Sequence, residues 1–219
     1  MPNFSSTFTK TGVRILLNTT VKRFFGNETV ELAELSNGEK IHLDTVVVGI
    51  GVVPNAEIAS EAGLMTDNGI VVDLIGRTSD EAIYAAGDVA DQPDGLGGRM
   101  RLESWSNAQN QAIAVAKTML GAGTPYQDVP YFWSDQYETQ LQILGSFNNY
   151  DETVVRPYEG SRFVRFYLKN TKITGGAGVN RSQDVAVARR LMQKRITVDS
   201  RHLVSAANLN EFLHGMRTI

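Results

Sequence analysis

The chain of 219 residues contains no cysteine and only three histidines. Without cysteine it forms no disulfide, offers no thiolate to a metal and carries no redox-active dithiol. The histidines, His42, His202 and His214, lie far apart in the sequence and share no ligand-like spacing. The sequence therefore predicts that no metal is bound.

Long apolar runs and a large net charge are also lacking. No run approaches the ~20 residues of a membrane span, and the first ten residues lack the apolar segment of a secretory signal, so we expect a cytoplasmic protein without a membrane partner. The net charge of -3 gives no indication of nucleic-acid binding. Residues 1–125 carry 9 basic and 15 acidic side chains, and residues 126–219 carry 12 and 9. This asymmetry weakly favours an acidic partner for the second half, and ordinary scatter of surface charge explains it as well.

The first part of the chain has the pattern of short strands. The segments "VRILLNTTVKRF", "VELAEL" and "EKIHL" alternate in polarity, and Asn37-Gly38 is a strong hairpin signal because both residues tolerate positive φ. We predict an antiparallel meander. The following run "TVVVGIG", Thr45–Gly51, is apolar on both faces and predicts a fully buried strand.

The middle of the chain alternates helix and strand patterns. "NAEIASEAGL" has helical spacing, "GIVVDLIGRTSD" predicts a hairpin-like pair, and "AIYAAGD" predicts a short apolar strand that ends at Asp88, before a Gly-, Pro- and Asp-rich loop from Asp91 to Gly98. The strongest helix pattern is "SNAQNQAIAVAKTMLG", for which Ser106 or Asn107 is the predicted N-cap. One face of this helix is apolar: Ala112, Ile113, Ala116, Met119 and Leu120.

Composition changes at "GAGTPYQDVPYF", which places a domain boundary near residue 126. Beyond it, "TQLQILGSF", "TVVRPY", "SRFVRFYLK" and "KITGGAGV" predict strands. "SQDVAVARRLMQK" predicts a helix capped by Ser182, and one or two further helices follow. An antiparallel sheet followed by helices is an α+β domain.

Two glycine motifs bear on function. "GIGVVPN", Gly49–Asn55, begins like a dinucleotide fingerprint, but Pro54 replaces the third glycine and no helix opens directly after it, so it fails as a phosphate loop. "AIYAAGD" has two interpretations. Asp88 caps the following turn, or the small residues before it let a ligand approach the backbone while Asp88 accepts hydrogen bonds from a polyol.

The motifs "RTSDEAIYAAGD", "RLESWSNAQNQAIAVA", "VPYFWSDQYETQLQILG" and "VNRSQDVAVARRL" occur in this order, and by them the chain resembles the flavoprotein NAD(P)H-dependent ferredoxin reductases. The resemblance covers the chain from about Gly12. It implies α/β plus α+β architecture: residues 1–43 as the tail of an NAD(P)-binding domain, residues 44–125 as the second half of a Rossmann-like FAD-binding domain, and residues 126–219 as the C-terminal reductase domain. Both phosphate loops of the family precede the matching region, so the chain resembles a C-terminal half.

The resemblance also implies roles for individual residues. Gly87 and Asp88 are expected at the ribityl chain of FAD, Trp105 and Ser106 at the pyrimidine edge of the flavin, and Trp133 beside the ring. Glu103 and Gly51 are expected near NAD. A helix that starts near Ser106 directs its free N–H groups and positive dipole end toward the edge where reduced flavin gathers negative charge.

The implied activity passes electrons from NAD(P)H through FAD to a 2Fe-2S ferredoxin or a rubredoxin-like acceptor. A basic segment is a candidate docking face, with the solvated side of an amphipathic helix as the alternative interpretation: Arg189, Arg190, Lys194 and Arg195. We expect weak FAD binding by the isolated chain, because the residues that hold the pyrophosphate are not in it. The alternative function is a non-catalytic module that forms a homodimer or binds an N-terminal half supplied in trans. A disulfide reductase is disfavoured, because "FWSDQ" stands where glutathione-reductase-like enzymes carry a His-Pro-Thr segment.

Overall fold

The computed structural model describes residues 11–94 and 98–214, and the side chain of His214 is not included. The first ten residues, which showed no secretory signal, and the middle of the loop Asp91–Gly98 lie outside the described residues. The chain forms two compact units that divide between Val53 and Pro54.

The described part of the first unit is a three-stranded antiparallel meander, which confirms the prediction. Strands β1 (Val21–Phe25), β2 (Leu32–Leu35) and β3 (Lys40–His42) follow one another in the sheet. The predicted hairpin turn is present, and Gly38 adopts a φ of 87°. Glycine suits this position because it has no side chain to clash in the left-handed region.

The predicted buried strand Thr45–Gly51 is wrong. This segment pairs with no described strand, and Val47 and Ile50 are 92% and 90% exposed. An apolar strand of the parallel type is stable only between neighbours that satisfy its backbone groups and cover both faces. No described residue of this unit supplies such neighbours.

The second unit starts with a short helix and a small mixed sheet. Helix α1 (Glu57–Glu61) confirms the predicted helical spacing. The four strands are paired in sequence order, with β5 and β6 parallel and the outer pairs antiparallel: β4 (Thr66–Asp67), β5 (Gly69–Val71), β6 (Ala90–Pro93) and β7 (Arg99–Arg101). The predicted strand before Asp88 is reduced to a single bridge between Tyr84 and Arg77. Asp88 itself lies in a 3₁₀ turn, Gly87–Val89, that leads into β6.

Helix α2 (Trp105–Met119) confirms the strongest helix pattern, but it starts earlier than predicted. Ser104 is the N-cap, and its side chain accepts a hydrogen bond from the Asn107 N–H. Ser106 and Asn107 are therefore inside the helix. Three residues at four-residue spacing form the buried face, Asn107, Gln111 and Val115. The apolar residues on the other side are exposed, including Ile113, Met119 and Leu120.

The rest of the second unit is a five-stranded antiparallel sheet, ordered β10-β11-β12-β9-β8, with three helices. The strands are β8 (Tyr131–Gln136), β9 (Thr139–Gly145), β10 (Glu152–Pro157), β11 (Phe163–Lys169) and β12 (Lys172–Val179). The helices are α3 (Ser182–Gln193), α4 (Ser200–Ser205) and α5 (Glu211–His214). Ser182 is the first helical residue and Arg181 occupies the cap position, so the predicted cap is off by one residue.

This sheet and its helices enclose the main core of the chain. Alternate residues of β11 and the inward face of α3 are buried, as the period of two and the helical spacing predict. The largest fully buried side chains are Phe166, Leu144, Leu168, Leu191, Leu203 and Leu209.

Candidate functional site

The turn Gly87–Val89 places Asp88 at the surface. Gly87 has a φ of 81°, and its N–H donates to Gln111 Oε1 at 2.8 Å. The Asp88 side chain is exposed, and its carboxylate has no hydrogen-bond or ion-pair partner among the described residues. A strand-end carboxylate needs either solvent or a partner. Here it faces solvent and keeps its acceptor capacity free.

The start of α2 lies against this turn. A Cβ added to Gly87 would lie 3.4 Å from the Ala108 Cβ, so the absence of a side chain lets the turn approach the second turn of the helix. Ser104 satisfies one of the free N–H groups at the helix start. Ser106 is half-buried in the first helical turn. The turn that carries Asp88 and the N-terminal half of α2 are therefore neighbours.

Trp105 and Trp133 come from separate parts of the chain and meet at this place. Their ring centroids are 6.2 Å apart with planes at 85°, an edge-to-face arrangement. Trp133 also stacks on Tyr131 at 5.8 Å. Both indoles remain accessible, at 66% for Trp105 and 46% for Trp133. Burial in a core, the usual role of a tryptophan, does not explain either position.

A buried polar network holds the turn and the helix together. Gln111 accepts from Gly87 and donates through Nε2 to Gln92 Oε1 at 2.8 Å. Asn107 donates to the Leu102 carbonyl at 3.2 Å, and its Oδ1 accepts from the Tyr126 hydroxyl at 3.2 Å. Buried polar groups with satisfied hydrogen bonds fix a single geometry. The sequence reasoning missed Gln111, whose signal was an amide four residues after Asn107 on one helix face.

Asp128 connects α2 with α3. Its carboxylate accepts from Arg189 Nη2 at 2.6 Å, from Asn110 Nδ2 at 3.0 Å and from Gln193 Nε2 at 3.2 Å. Burial, and then the charge of Asp128, raise the pKa of Tyr126 to about 12, and Arg189 opposes this shift. Asp128 was another residue that the sequence reasoning did not single out.

The four basic residues of the predicted docking face are in two different situations. Arg189 is half-buried, pairs with Asp128 and lies over the Tyr131 ring at 5.5 Å. Arg190, Lys194 and Arg195 are exposed. The structure thus assigns Arg189 a contact within the chain and leaves the other three cations at the surface.

The two residues assigned to NAD belong to different units of the chain. Glu103 lies just before α2 and forms an ion pair with Arg101. Gly51 lies in the first unit, is exposed and has a φ of 98°. Within the described ranges, no group of three or more His, Asp or Glu side chains is arranged to hold a metal ion. None of the helices in the described residues is long and apolar enough to cross a membrane.

Comparisons with known proteins agree with this organisation. A family model for pyridine nucleotide-disulphide oxidoreductases matches residues 4–112, and a model for the reductase C-terminal domain matches residues 131–213. Rhodocoxin reductase from Rhodococcus erythropolis is 43% identical over 192 residues, which are 86% of this chain and 45% of the relative.

Solved structures of reductases also resemble this chain over nearly its whole length. The reductase in the covalent putidaredoxin reductase–putidaredoxin complex superposes with a TM-score of 0.87 at 31% identity, over 98% of this chain and 53% of that chain. A ferredoxin reductase from Rhodopseudomonas palustris superposes with a TM-score of 0.82 at 35% identity, over 96% of this chain and 54% of that chain. The chain spans about half the length of the relatives it matches.

These matches confirm the predicted fold class, a Rossmann-like FAD/NAD-binding region followed by an α+β reductase domain. They also confirm FAD, with NAD(P)H as co-substrate, as the cofactors of the family. The chain belongs to the pyridine nucleotide-disulphide oxidoreductase family and matches the part of its ferredoxin reductases that ends in the reductase C-terminal domain.

Proposed function

We propose that this chain carries the flavin-facing and acceptor-facing part of an NAD(P)H-dependent ferredoxin reductase. The observation that supports this most is the meeting of Trp105 and Trp133 at the start of α2, beside the turn that exposes Asp88. A carboxylate without a partner, a helix N-terminus and two accessible indoles form a donor and acceptor set that fits a flavin with its ribityl chain.

The residues of this site have distinct roles in the proposal. Asp88 accepts hydrogen bonds from the ribityl hydroxyls, and Gly87 lets the ligand approach the backbone. Ser106 and the N–H groups of the first turn of α2 favour negative charge at the pyrimidine edge. The two indoles exclude water from the ring. Glu103 and Gly51 are proposed on the NAD side.

Bound FAD supplies the conversion of a two-electron hydride donor into single-electron transfers, and the protein supplies position and electrostatics. Trp133, which has one neighbour in Trp105 and another in Tyr131, lies in the five-stranded sheet region and is accessible to a partner. We propose an iron-sulfur ferredoxin as that partner, by analogy with the putidaredoxin complex of the structural neighbour.

A tryptophan-fluorescence titration with FAD tests the flavin site. We expect saturable quenching that is reduced in Trp105→Phe and in Trp133→Phe. We also expect an affinity for FAD at least about tenfold weaker in Asp88→Asn, because a hydrogen bond to a charged group contributes a net ~1.5–3 kcal/mol. Affinity in Asp88→Asn equal to that of the unchanged chain would exclude the assigned site. We expect the purified chain to be colourless or weakly loaded, and a stoichiometric flavin spectrum would contradict that expectation.

The docking face is tested by charge reversal. Arg190→Glu with Lys194→Glu, introduced into a reductase that contains this chain, should lower the salt-sensitive rate of ferredoxin reduction, because complementary charges speed association. Arg162→Glu, another exposed arginine of the same domain, is the matched control. Equal kinetics in the double variant and the control would remove this face from the proposal.

A non-catalytic binding or oligomerising module is the second candidate, and the exposed apolar side of α2 favours it. Met119 and Leu120 are 63% and 84% exposed there, and exposed apolar surface of this kind marks an interaction site. Gel filtration combined with a flavin spectrum separates the two functions. An oligomer that never binds flavin supports the module, and NADH-dependent reduction of a dye supports the enzyme.

A further inference from the structure

Arg101 lies between two residues of the proposed site. Its Nη1 donates to the backbone carbonyl of Asp88 at 3.2 Å and also pairs with the Glu103 carboxylate. The Arg101 side chain is only 10% exposed. One guanidinium therefore joins the turn that carries Asp88 to the segment that leads into α2.

A glycine makes room for this arginine. A Cβ added to Gly69 would lie 3.1 Å from Arg101 Cδ and 2.4 Å from the Val89 carbonyl oxygen. Gly69 also has a φ of 127°, a conformation that other residues rarely adopt. The buried Nε of Arg101 has no hydrogen-bond partner among the described residues. The contacts through Nη1 are thus the ones that hold the guanidinium in place.

Arg99, two residues earlier on the same strand, provides a contrast. Residues two apart on a strand point to the same face. Arg99 donates through Nε to Asp91 Oδ2 at 3.0 Å and through Nη2 to the Val72 carbonyl at 2.8 Å. These contacts stay within the small sheet. Of the two arginines, Arg101 is the one that contacts the Asp88 turn.

We infer that Arg101 is a positioning residue for the flavin site. It fixes the carbonyl of Asp88, and with it the direction in which the Asp88 carboxylate points. It also neutralises Glu103, which would otherwise add a second uncompensated negative charge near that carboxylate. Both contacts run through Nη1, and a lysine would keep the positive charge without the planar guanidinium that places it there. This inference rests on the proposed function, since it assigns Arg101 a role in the same site.

The test measures the affinity of the chain for FAD and for riboflavin, which carries the ring and ribityl chain without the phosphates. We expect Arg101→Met to raise both dissociation constants about tenfold, which corresponds to about 1.4 kcal/mol. Arg101→Lys should raise them by a smaller factor, because it keeps the positive charge. Arg99→Met is the control. It loses an ion pair of the same strand and should leave both dissociation constants unchanged, even where it lowers the melting temperature.

Hydrogen exchange supplies a readout that needs no flavin. Arg101→Met should accelerate amide exchange at residues 87–91, and Arg99→Met should not. Flavin affinity in Arg101→Met equal to that of the unchanged chain, together with weaker binding in Asp88→Asn, would overturn the inference and leave the proposed function in place. Equal losses in Arg101→Met and Arg99→Met would reduce Arg101 to a structural role. Unchanged affinity in Asp88→Asn would overturn the proposed site, and the inference with it.

Discussion

The five-stranded sheet region, residues 131–214, and the Asp88 region, residues 54–128, bury their apolar residues to very different extents. In the sheet region, β9, β11, β12 and helices α3 and α4 enclose one contiguous cluster with six large side chains fully buried. In the Asp88 region, the buried apolar cluster consists of Val72, Ala85 and Ala90. On the other face of α2, Ile113 and Met119 are exposed.

The difference shows what holds each region together. Apolar burial contributes about 25 cal/mol per Å², so the sheet region is stabilised mainly by its core. The Asp88 region depends on directed contacts, namely the Gln92–Gln111–Gly87 hydrogen bonds and the Asp128 links to α3. A region of this kind keeps a surface open for a ligand or another polypeptide, whereas a closed core does not.

Truncation in the closed core has the largest expected effect. Phe166→Ala should lower the free energy of unfolding by about 3–5 kcal/mol, because it removes a fully buried ring and leaves a cavity. Urea denaturation followed by circular dichroism measures the loss. Phe132→Ala is the matched control, because Phe132 on the edge strand β8 is 38% exposed and should cost far less. Equal losses would contradict the description of the core.

Arg156 links strand β10 to the end of α4 through hydrogen bonds of its guanidinium. It is buried and donates to the carbonyls of Leu203 at 2.9 Å and Val204 at 3.1 Å, at the end of α4, and also to the Ala206 carbonyl. Arg156→Met should cost about 2–3 kcal/mol in the free energy of unfolding, since each buried group left unsatisfied costs about 1–3 kcal/mol. Exposed Arg162→Met is the control. Fast amide exchange confined to α4 would locate the damage, and a stability equal to that of the control would contradict the prediction.

A glutamine should destabilise the chain much more on the buried face of α2 than on the exposed face. Val115→Gln places an amide in a buried position beside Gly76 and should cost about 1–3 kcal/mol in the free energy of unfolding. Ile113→Gln lies on the exposed face and should change stability by less than about 0.5 kcal/mol. Urea denaturation of both variants measures the difference. A large loss in Ile113→Gln would show that this face is covered in solution.

Tyr126 gives the Asp88 region a pH dependence. Its pKa in the folded chain is about 12 against an ordinary value of 10.0. The folded state therefore holds the hydroxyl proton of Tyr126 more tightly than the unfolded state does. The contribution of this proton to the free energy of unfolding is complete below about pH 10 and is lost as the pH rises through about 12. Tyr126→Phe should flatten this alkaline decline of stability. Asp128→Asn should lower the pKa of Tyr126 because a negative charge is removed, and tyrosinate absorbance measures the shift. An unchanged titration of Tyr126 in Asp128→Asn would contradict the contribution assigned to the charge of Asp128.

The sequence predicted the sheet region better than the Asp88 region, for a physical reason. Strands β11 and β12 are amphipathic or apolar in a pattern that matches their own burial, so local periodicity was sufficient. Thr45–Gly51 is equally apolar but pairs with no described strand, and periodicity does not reveal whether neighbours exist. For the start of α2 the sequence predicted Ser106 or Asn107 as the cap, whereas in the structure Ser104 is the cap, because its side chain accepts a hydrogen bond from the Asn107 N–H.

The candidate site was predicted mainly from the family motifs, and the types of its side chains alone indicated only part of it. Asp88, Trp105 and Trp133 came from the resemblance, and the structure brings the two indoles together. The spacing of Gln111 from Asn107 indicates only a shared helix face, and no pattern marks Arg101, because their contacts with the turn join residues 24 and 13 positions apart. Such contacts depend on how the elements pack.

The most direct test of the flavin site is hydrogen exchange of the chain with and without saturating FAD. We predict protection of three separate segments, residues 85–91, 103–108 and 131–135, with no change in β11 and β12, whose exchange is already limited by the closed core. Protection of β11 and β12 without protection at Asp88 and at the two tryptophans would contradict the account.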